Sequence, residues 1–293
     1  MRVALIAATS KTGCRLAARL VQEGYEVVAV GRDIERLRRR APGCTHRTCD
    51  LARPGEDLTR ALADATHVLS LAHARFIPVV LASLSQDCRR VVVTGSTRRF
   101  TRLPDPAADA VRMGEARFLA FQAANATVEA VMLHPSMIYG TPEDRSVARL
   151  MRWYRRWPAA LPVPTPLPDG GRHLVQPVHV DDVVAAFVAA LSAPAAPGEP
   201  IILAGPEPIP YRAFVRACAA AVGRRAVVVP VPAGPTAAVL DGLAALRLPL
   251  PLTGAALRRT AEDKCFDVEP MRRRLGVEPR PFAPVWPGDG QMA

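Results

Sequence analysis

The chain has 293 residues, 49% of them apolar and 22% charged, enough to bury a sizeable core and too apolar for extensive disorder. Its formal charge is +11, yet its 38 basic residues include only two lysines, Lys11 and Lys264. The arginines are scattered, without a recognition-helix pattern or interleaved aromatics, so nucleic-acid binding is not expected. No apolar run reaches the roughly 18 residues of a membrane span, and MRVALIAA runs straight into a first strand without a signal peptide, which predicts a cytoplasmic protein.

The first stretch sets the expected architecture. Apolar residues at 3–6 predict a short buried strand, and the small residues at 7–10 a tight turn. From Thr12 a helical period begins, with Leu16, Ala17, Leu20 and Val21 on one face, and runs to Gly24. A strand, tight turn and helix N-terminus together can hold a pyrophosphate, because free N–H groups and the helix dipole point at the ligand. The glycine-type positions of the turn read Ala7, Ser10 and Gly13, so one glycine of three is present. Ser10 offers a hydroxyl to a phosphate, and Lys11 a charge that offsets poorer glycine geometry.

Residues 25–30 predict the second strand, ending at Gly31-Arg32-Asp33. An arginine at that strand end can pair with the 2′-phosphate of NADP, where an acid would accept from the ribose hydroxyl of NAD. Asp33 reads as the N-cap of a helix carrying Glu35 to Arg40. Further strands are expected at 45–51, 67–72 and 90–94, with helices at 55–63, 76–86 and 107–127, and His134 ends a sixth strand. This alternation predicts an α/β fold with a doubly wound parallel sheet of Rossmann type. Cys44, His46 and Cys49 lack a fourth ligand and a second pair, so no metal site is expected, and all six cysteines should be free thiols.

Beyond 140 a helix is expected from Asp144 to Trp157, then a long proline-rich loop over 158–168 closed by Asp169-Gly170-Gly171. Strands at 173–180, 200–203 and 226–231 and helices at 181–191, 210–222 and 239–247 follow, before a proline-rich tail. Asp181 and Asp182 read as cap and anchor of the 181–191 helix.

These segments together resemble the extended and atypical short-chain dehydrogenase/reductase family, in its NAD(P)-dependent epimerase/dehydratase-like branch. AATSKTG stands where that family has GATGFIG, CDL (49–51) where it has GDL, and VLSLA (68–72) where it has VxHLA. LHPSMIYG (133–140) is similar to LRPxxIYG, with His134 replacing an arginine. QPVHVDDVVAA (176–186) is similar to VHVDDVAxA, and 261–282 to the closing LGxxPRxF pattern. The resemblance implies a dinucleotide-binding core over 1–140, to which 173–191 returns, and a substrate lobe built mainly from 141–293. It implies cofactor contacts from Ala7, Thr9, Ser10, Lys11, Thr12 and Gly13 in the turn, and from Arg32, Asp50 and Leu51. Ala72, Thr94, Pro135 and Met137 complete the implied set. NADP(H) is the expected cofactor, with NAD(H) as the alternative. The expected partner is a small-molecule substrate; the sequence does not indicate an oligomeric state.

The family's chemistry uses a tyrosine with a lysine four residues on, where the lysine lowers the phenol pKa and the phenol exchanges a proton with substrate. None of the four tyrosines here has lysine at that spacing, and the 107–127 helix carries neither residue. Ser96 stands at the catalytic hydroxyl position of the family. His134 and Glu115 are the titratable groups that could replace the tyrosine; the competing reading of Glu115 is a solvent-facing helix acid paired with Arg112 or Arg117. Two functions follow: an NAD(P)-dependent oxidoreductase or epimerase on a small carbonyl, alcohol or sugar derivative, or a non-catalytic NADP(H)-binding sensor or assembly protein.

Overall fold

A computed structural model describes residues 1–144, 146–194, 199–246 and 254–286. The chain opens with alternating units: β1 (Arg2–Ile6), α1 (Lys11–Gln22), β2 (Glu26–Gly31), α2 (Ile34–Arg40), β3 (Thr45–Thr48), α3 (Asp57–Leu62) and β4 (His67–Ser70). The pattern continues through α4 (Ile77–Ala82), β5 (Arg90–Thr94), α5 (Pro106–Ala124) and β6 (Glu129–Pro135). There follow β7 (Ile138–Tyr139), α6 (Val147–Arg155), β8 (Val163–Pro168), β9 (Leu174–Val175), β10 (Val178–His179), α7 (Val180–Ala189) and β11 (Ile201–Leu203). The last elements are β12 (Ile209–Pro210), α8 (Tyr211–Ala220), β13 (Ala226–Val231), α9 (Ala233–Ala245), α10 (Gly254–Arg259) and α11 (Glu269–Leu275).

Seven strands form one parallel sheet in the order β3-β2-β1-β4-β5-β6-β11. Alternate residues of a strand point to opposite faces, so β1 feeds two cores at once. Val3 and Leu5 pack with Leu16 and Leu20 of α1 and with Val183 and Phe187 of α7. Ala4 and Ile6 pack on the other face with Leu58 of α3, Val80 of α4 and Phe118 of α5. Burial on both faces explains why the strands read as near-continuous apolar runs.

A third apolar cluster joins Tyr139, Met151, Tyr154, Leu167, Phe214 and Cys218, and it binds α6, β8 and α8 into a lobe at the carboxyl end of the sheet. β8 corrects the expected loop over 158–168: it pairs in parallel with β13. Val163, Thr165 and Leu167 face inward while Pro164 and Pro166 face out. Proline is tolerated because β8 is hydrogen-bonded on one side alone, so the missing N–H groups lie on its open edge. A second correction concerns 200–203, counted above with the lobe: β11 is the last strand of the central sheet, and α11 packs under it. α9 begins at Ala233 rather than 239, and the expected end at 247 lies outside the described residues. The expected strand at 45–51 stops at Thr48, and that at 67–72 at Ser70. The expected 173–180 strand is two short pieces, β9 and β10, of which β9 pairs antiparallel with β12. Cys44 packs against one face of the sheet and Cys49 against the other, which places them on opposite sides of β3.

Candidate functional site

At the carboxyl edge of β1 the chain turns into α1 through Ala7, which adopts φ 61°, a left-handed conformation that favours glycine. Ser10 N–H donates to the Ala7 carbonyl oxygen at 2.9 Å, and the Ser10 hydroxyl accepts the Gly13 N–H at 3.0 Å, capping the helix. A Cβ at Gly13 would collide with the Ala7 carbonyl oxygen and lie 2.9 Å from that of Ala8, so helix and strand approach too closely for any other residue. Lys11 and Thr12 open the first turn of α1, Thr12 buried and Thr9 and Lys11 half-buried. The first-turn N–H groups have no partner within the helix, which leaves an anion-ready edge.

Arg32 is exposed just past β2, and the neighbouring Asp33 carboxylate is committed to the Arg36 N–H at 3.0 Å as the α2 cap. Asp50 is exposed and accepts the Ala52 N–H at 3.1 Å, while Leu51 packs half-buried on the second face. Ala72 is buried after β4. At the end of β5, Thr94 Oγ1 is buried without a hydrogen-bond partner. Pro135 is buried at the end of β6, and Met137 is half-buried beside it.

Ser96 is held by a buried network. Its N–H donates to His134 Nδ1 at 2.7 Å, which places the proton of the neutral ring on Nε2, 3.4 Å from Glu115 Oε2. Arg99 Nε lies 2.6 Å from the same carboxylate oxygen, off the hydrogen-bond line. Gly95 makes the approach possible, since a Cβ there would collide with the His134 ring. Glu115 is therefore not a solvent-facing helix acid: it is 5% exposed, and Arg112 pairs with Asp109 instead. His134 is 1% exposed, and neither it nor Glu115 lines the cavity in front of Ser96. Both lie behind the Ser96 backbone rather than on the cavity wall where a residue meeting a substrate directly would be expected. The α7 cap also differs from expectation. His179 Nδ1 accepts the Asp181 N–H at 3.2 Å, while Asp181 pairs with Arg15 and Asp182 grips Arg280 in the tail.

The cavity occupies about 1550 Å³ between the carboxyl edge of the sheet and the lobe. Ser96, Thr97, Ser136 and Met137 line it from the sheet side. Arg149, Arg152 and Trp153 of α6 and Arg156 just past its end line it, the i, i+3, i+7 spacing of the arginines setting one face toward the opening. A strap over 261–267 forms the opposite wall. Glu262 accepts from Thr101 Oγ1 at 2.6 Å and from Arg102 N–H at 2.8 Å, and the Gln176 amide bonds the Phe266 backbone on both sides. Sequence reasoning had no reason to join residues 96–102, 149–156 and 261–267. The rarity of lysine was the one signal that pointed at Lys264, which sits on this wall.

No protein-family model and no curated protein sequence matches the chain. Among solved structures, the UDP-glucose 4-epimerase of Thermotoga maritima with UDP-glucose is similar at TM-score 0.70 and 16% identity, over 95% of this chain and 94% of that one. The UDP-glucuronic acid 4-epimerase of Bacillus cereus with UDP-glucuronic acid and NAD gives 0.70 and 15%, over 96% and 95%. MoeE5 in complex with UDP-glucose and NAD gives 0.67 and 20%, over 96% and 94%. At such identities the likeness is one of architecture: the chain shares the Rossmann-type α/β fold of these structures.

Proposed function

We propose that the chain binds a nicotinamide dinucleotide at the β1–α1 turn and acts as an oxidoreductase or epimerase on an anionic carbonyl, alcohol or sugar derivative held in the lobe cavity. The observation that carries the reading is the cavity itself: Ser96 at one wall, and the arginines of α6 at another. Arginine forks suit phosphate and carboxylate, and the related folds were solved with UDP-sugars and NAD. Two features fit the dinucleotide: Gly13 lets α1 approach the end of β1, where a Cβ would meet the Ala7 and Ala8 carbonyl oxygens, and Thr94 Oγ1 at the end of β5 is a buried polar atom without a hydrogen-bond partner among the described residues. When bound, the nicotinamide supplies hydride exchange. The protein's part is to orient and polarise. The Ser96 hydroxyl bonds the reacting oxygen, while its backbone N–H is held by His134, whose Nε2 stands 3.4 Å from Glu115. Arg32, with its neighbouring acid occupied, favours a 2′-phosphate and hence NADP(H).

Fluorescence titration tests the cofactor: NADPH should bind tighter than NADH, and Arg32→Ala should remove most of the difference, about 1–3 kcal/mol for charge-assisted bonds. Equal affinities in the parent protein would sink the NADP assignment. Single-turnover NADPH oxidation over aldehydes, ketones and keto-sugars tests the chemistry, and Ser96→Ala should slow it at least about tenfold. One observation favours the non-catalytic alternative: α5 carries no tyrosine or lysine, and its buried positions include Val111 and Glu115. NADPH left unoxidised by the whole panel would select it.

A further inference from the structure

Lys264 is one of two lysines in the chain and stands on the cavity wall. Its Nζ donates to the Arg259 carbonyl oxygen at 2.5 Å and to the Tyr211 hydroxyl oxygen at 3.4 Å, and lies 5.6 Å from the centre of the Tyr211 ring. All these partners are neutral. The acids beside it in sequence are engaged elsewhere. Glu262 is held by Thr101 and Arg102, and Asp263 accepts the Leu174 N–H at 2.9 Å and sits 3.3 Å from His173 Nδ1. No carboxylate lies within ion-pair distance of Nζ among the described residues, although such partners are what normally hold a lysine protonated.

An ammonium drawn out of water without a counter-ion is destabilised relative to its amine. Burial lowers Lys264 from the ordinary lysine range; the charge of Glu262 opposes the shift, Arg259 adds to it and Asp263 opposes it again. Tyr211 is pushed up to about 12 by burial, so it remains a neutral phenol and supplies no counter-charge. A desolvated lysine amine is a nucleophile toward carbonyl carbon. The same cavity carries the α6 arginines Arg149, Arg152 and Arg156, which attract an anionic group.

We propose that Lys264 is a reactive amine that captures the carbonyl group of an anionic aldehyde or ketone as an imine. The amine nitrogen attacks the carbonyl carbon to give a carbinolamine. The carbonyl oxygen then leaves as water with both amine hydrogens, and the carbon–nitrogen double bond remains. No oxidant or reductant is needed, and the step is independent of the dinucleotide reading, so either can fail without the other.

The test uses the intact protein and two aldehyde probes, pyridoxal 5′-phosphate and 5-deoxypyridoxal, which lacks the phosphate. Cyanoborohydride fixes any imine as a secondary amine, and peptide mass spectrometry compares Lys264 with the single lysine of an unstructured reference peptide in the same reaction. Near neutral pH the phosphorylated probe should label Lys264 at least about tenfold faster than the peptide lysine, because burial leaves more of it as free amine. Inorganic pyrophosphate should slow labelling of Lys264, and 5-deoxypyridoxal should favour Lys264 less. Labelling of Lys264 at or below the rate of the peptide lysine overturns the proposal. So does equal labelling by both probes without protection by pyrophosphate, which would mark an accessible amine without anion recognition. Lys264→Arg, which keeps the charge and cannot form the imine, checks that the lost label belongs to Lys264 while pyrophosphate binding persists.

Discussion

Two strand-to-helix passages leave the same edge of the sheet, and they have kept different things. The β1–α1 passage is built from backbone: a left-handed residue at 7, a hydroxyl cap at Ser10, and a glycine at 13 where a side chain cannot fit. Two of its three glycine-type positions carry other residues and the turn still forms. The β5–α5 passage carries Ser96, and the groups behind it are the side chains of His134, Glu115 and Arg99. A site made of N–H groups tolerates replacement wherever φ and space allow, whereas one made of side chains changes its chemistry with each substitution.

The strongest way to break this comparison is Gly13→Ala. The new Cβ would meet the Ala7 and Ala8 carbonyl oxygens, and backbone cannot move aside as a flexible side chain would. We expect a loss of about 3 kcal/mol, at the upper end of overpacking costs, together with loss of dinucleotide binding. Chemical denaturation reads the first and fluorescence titration the second; a loss below about 1 kcal/mol, within the range of ordinary substitutions, would show that the passage is not backbone-limited.

On the other passage, Glu115→Ala removes the carboxylate that faces His134 and Arg99. Stranding buried polar groups costs about 1–3 kcal/mol, and because Arg99 is partly exposed we expect about 2 kcal/mol. Glu115→Gln should recover most of it, since the amide keeps a polar group in the space between His134 and Arg99. If the two variants melt alike, the carboxylate is not what holds Ser96 in place.

The two passages also differ in how far they could be read beforehand. The turn, α1 and the Asp33 cap follow from short-range pattern, because every partner lies within four residues. The Ser96–His134–Glu115 network was hidden, since its members are 38 and 19 residues apart and the helical period of α5 does not say which acid turns inward. β8 was missed for a different reason. Its inward Val163, Thr165 and Leu167 alternate as a strand should, but the intervening prolines carry the stronger local signal, and the free edge that tolerates them is a property of the fold. The cavity wall at Lys264 depends on the strap over 261–267 crossing the 97–102 segment, which no local periodicity encodes.

Ala7→Gly sharpens the comparison in the opposite direction. A non-glycine residue held at φ 61° costs of order 1–3 kcal/mol, and part of that relief is lost to the greater freedom of glycine in the unfolded chain. The net gain should be about 1 kcal/mol, or roughly 2–4 °C in Tm for a chain of this size. A drop in Tm would mean that Ala7 is not strained there and that the turn has adapted to its side chain.

The smallest expected effect separates burial from charge as the reason Glu115 matters. Asp64, beyond the far end of α3, faces Arg47 at 2.7 and 2.8 Å and also pairs with Arg2, so it has more charged partners than Glu115 but is more than a third exposed. The hydrogen bonds from Arg47 hold its carboxyl at about 2, below the ordinary 3.8. The folded state therefore binds this proton less readily than the unfolded chain. The stability it contributes is complete above the unfolded value and is lost as pH falls from about 4 toward 2. Because solvent screens the pair, Asp64→Asn should cost less than about 1 kcal/mol at neutral pH, and should flatten the decline of Tm between those limits. A neutral-pH loss equal to that of Glu115→Ala would mean that charge pairing, wherever it sits, carries the effect assigned to burial behind Ser96.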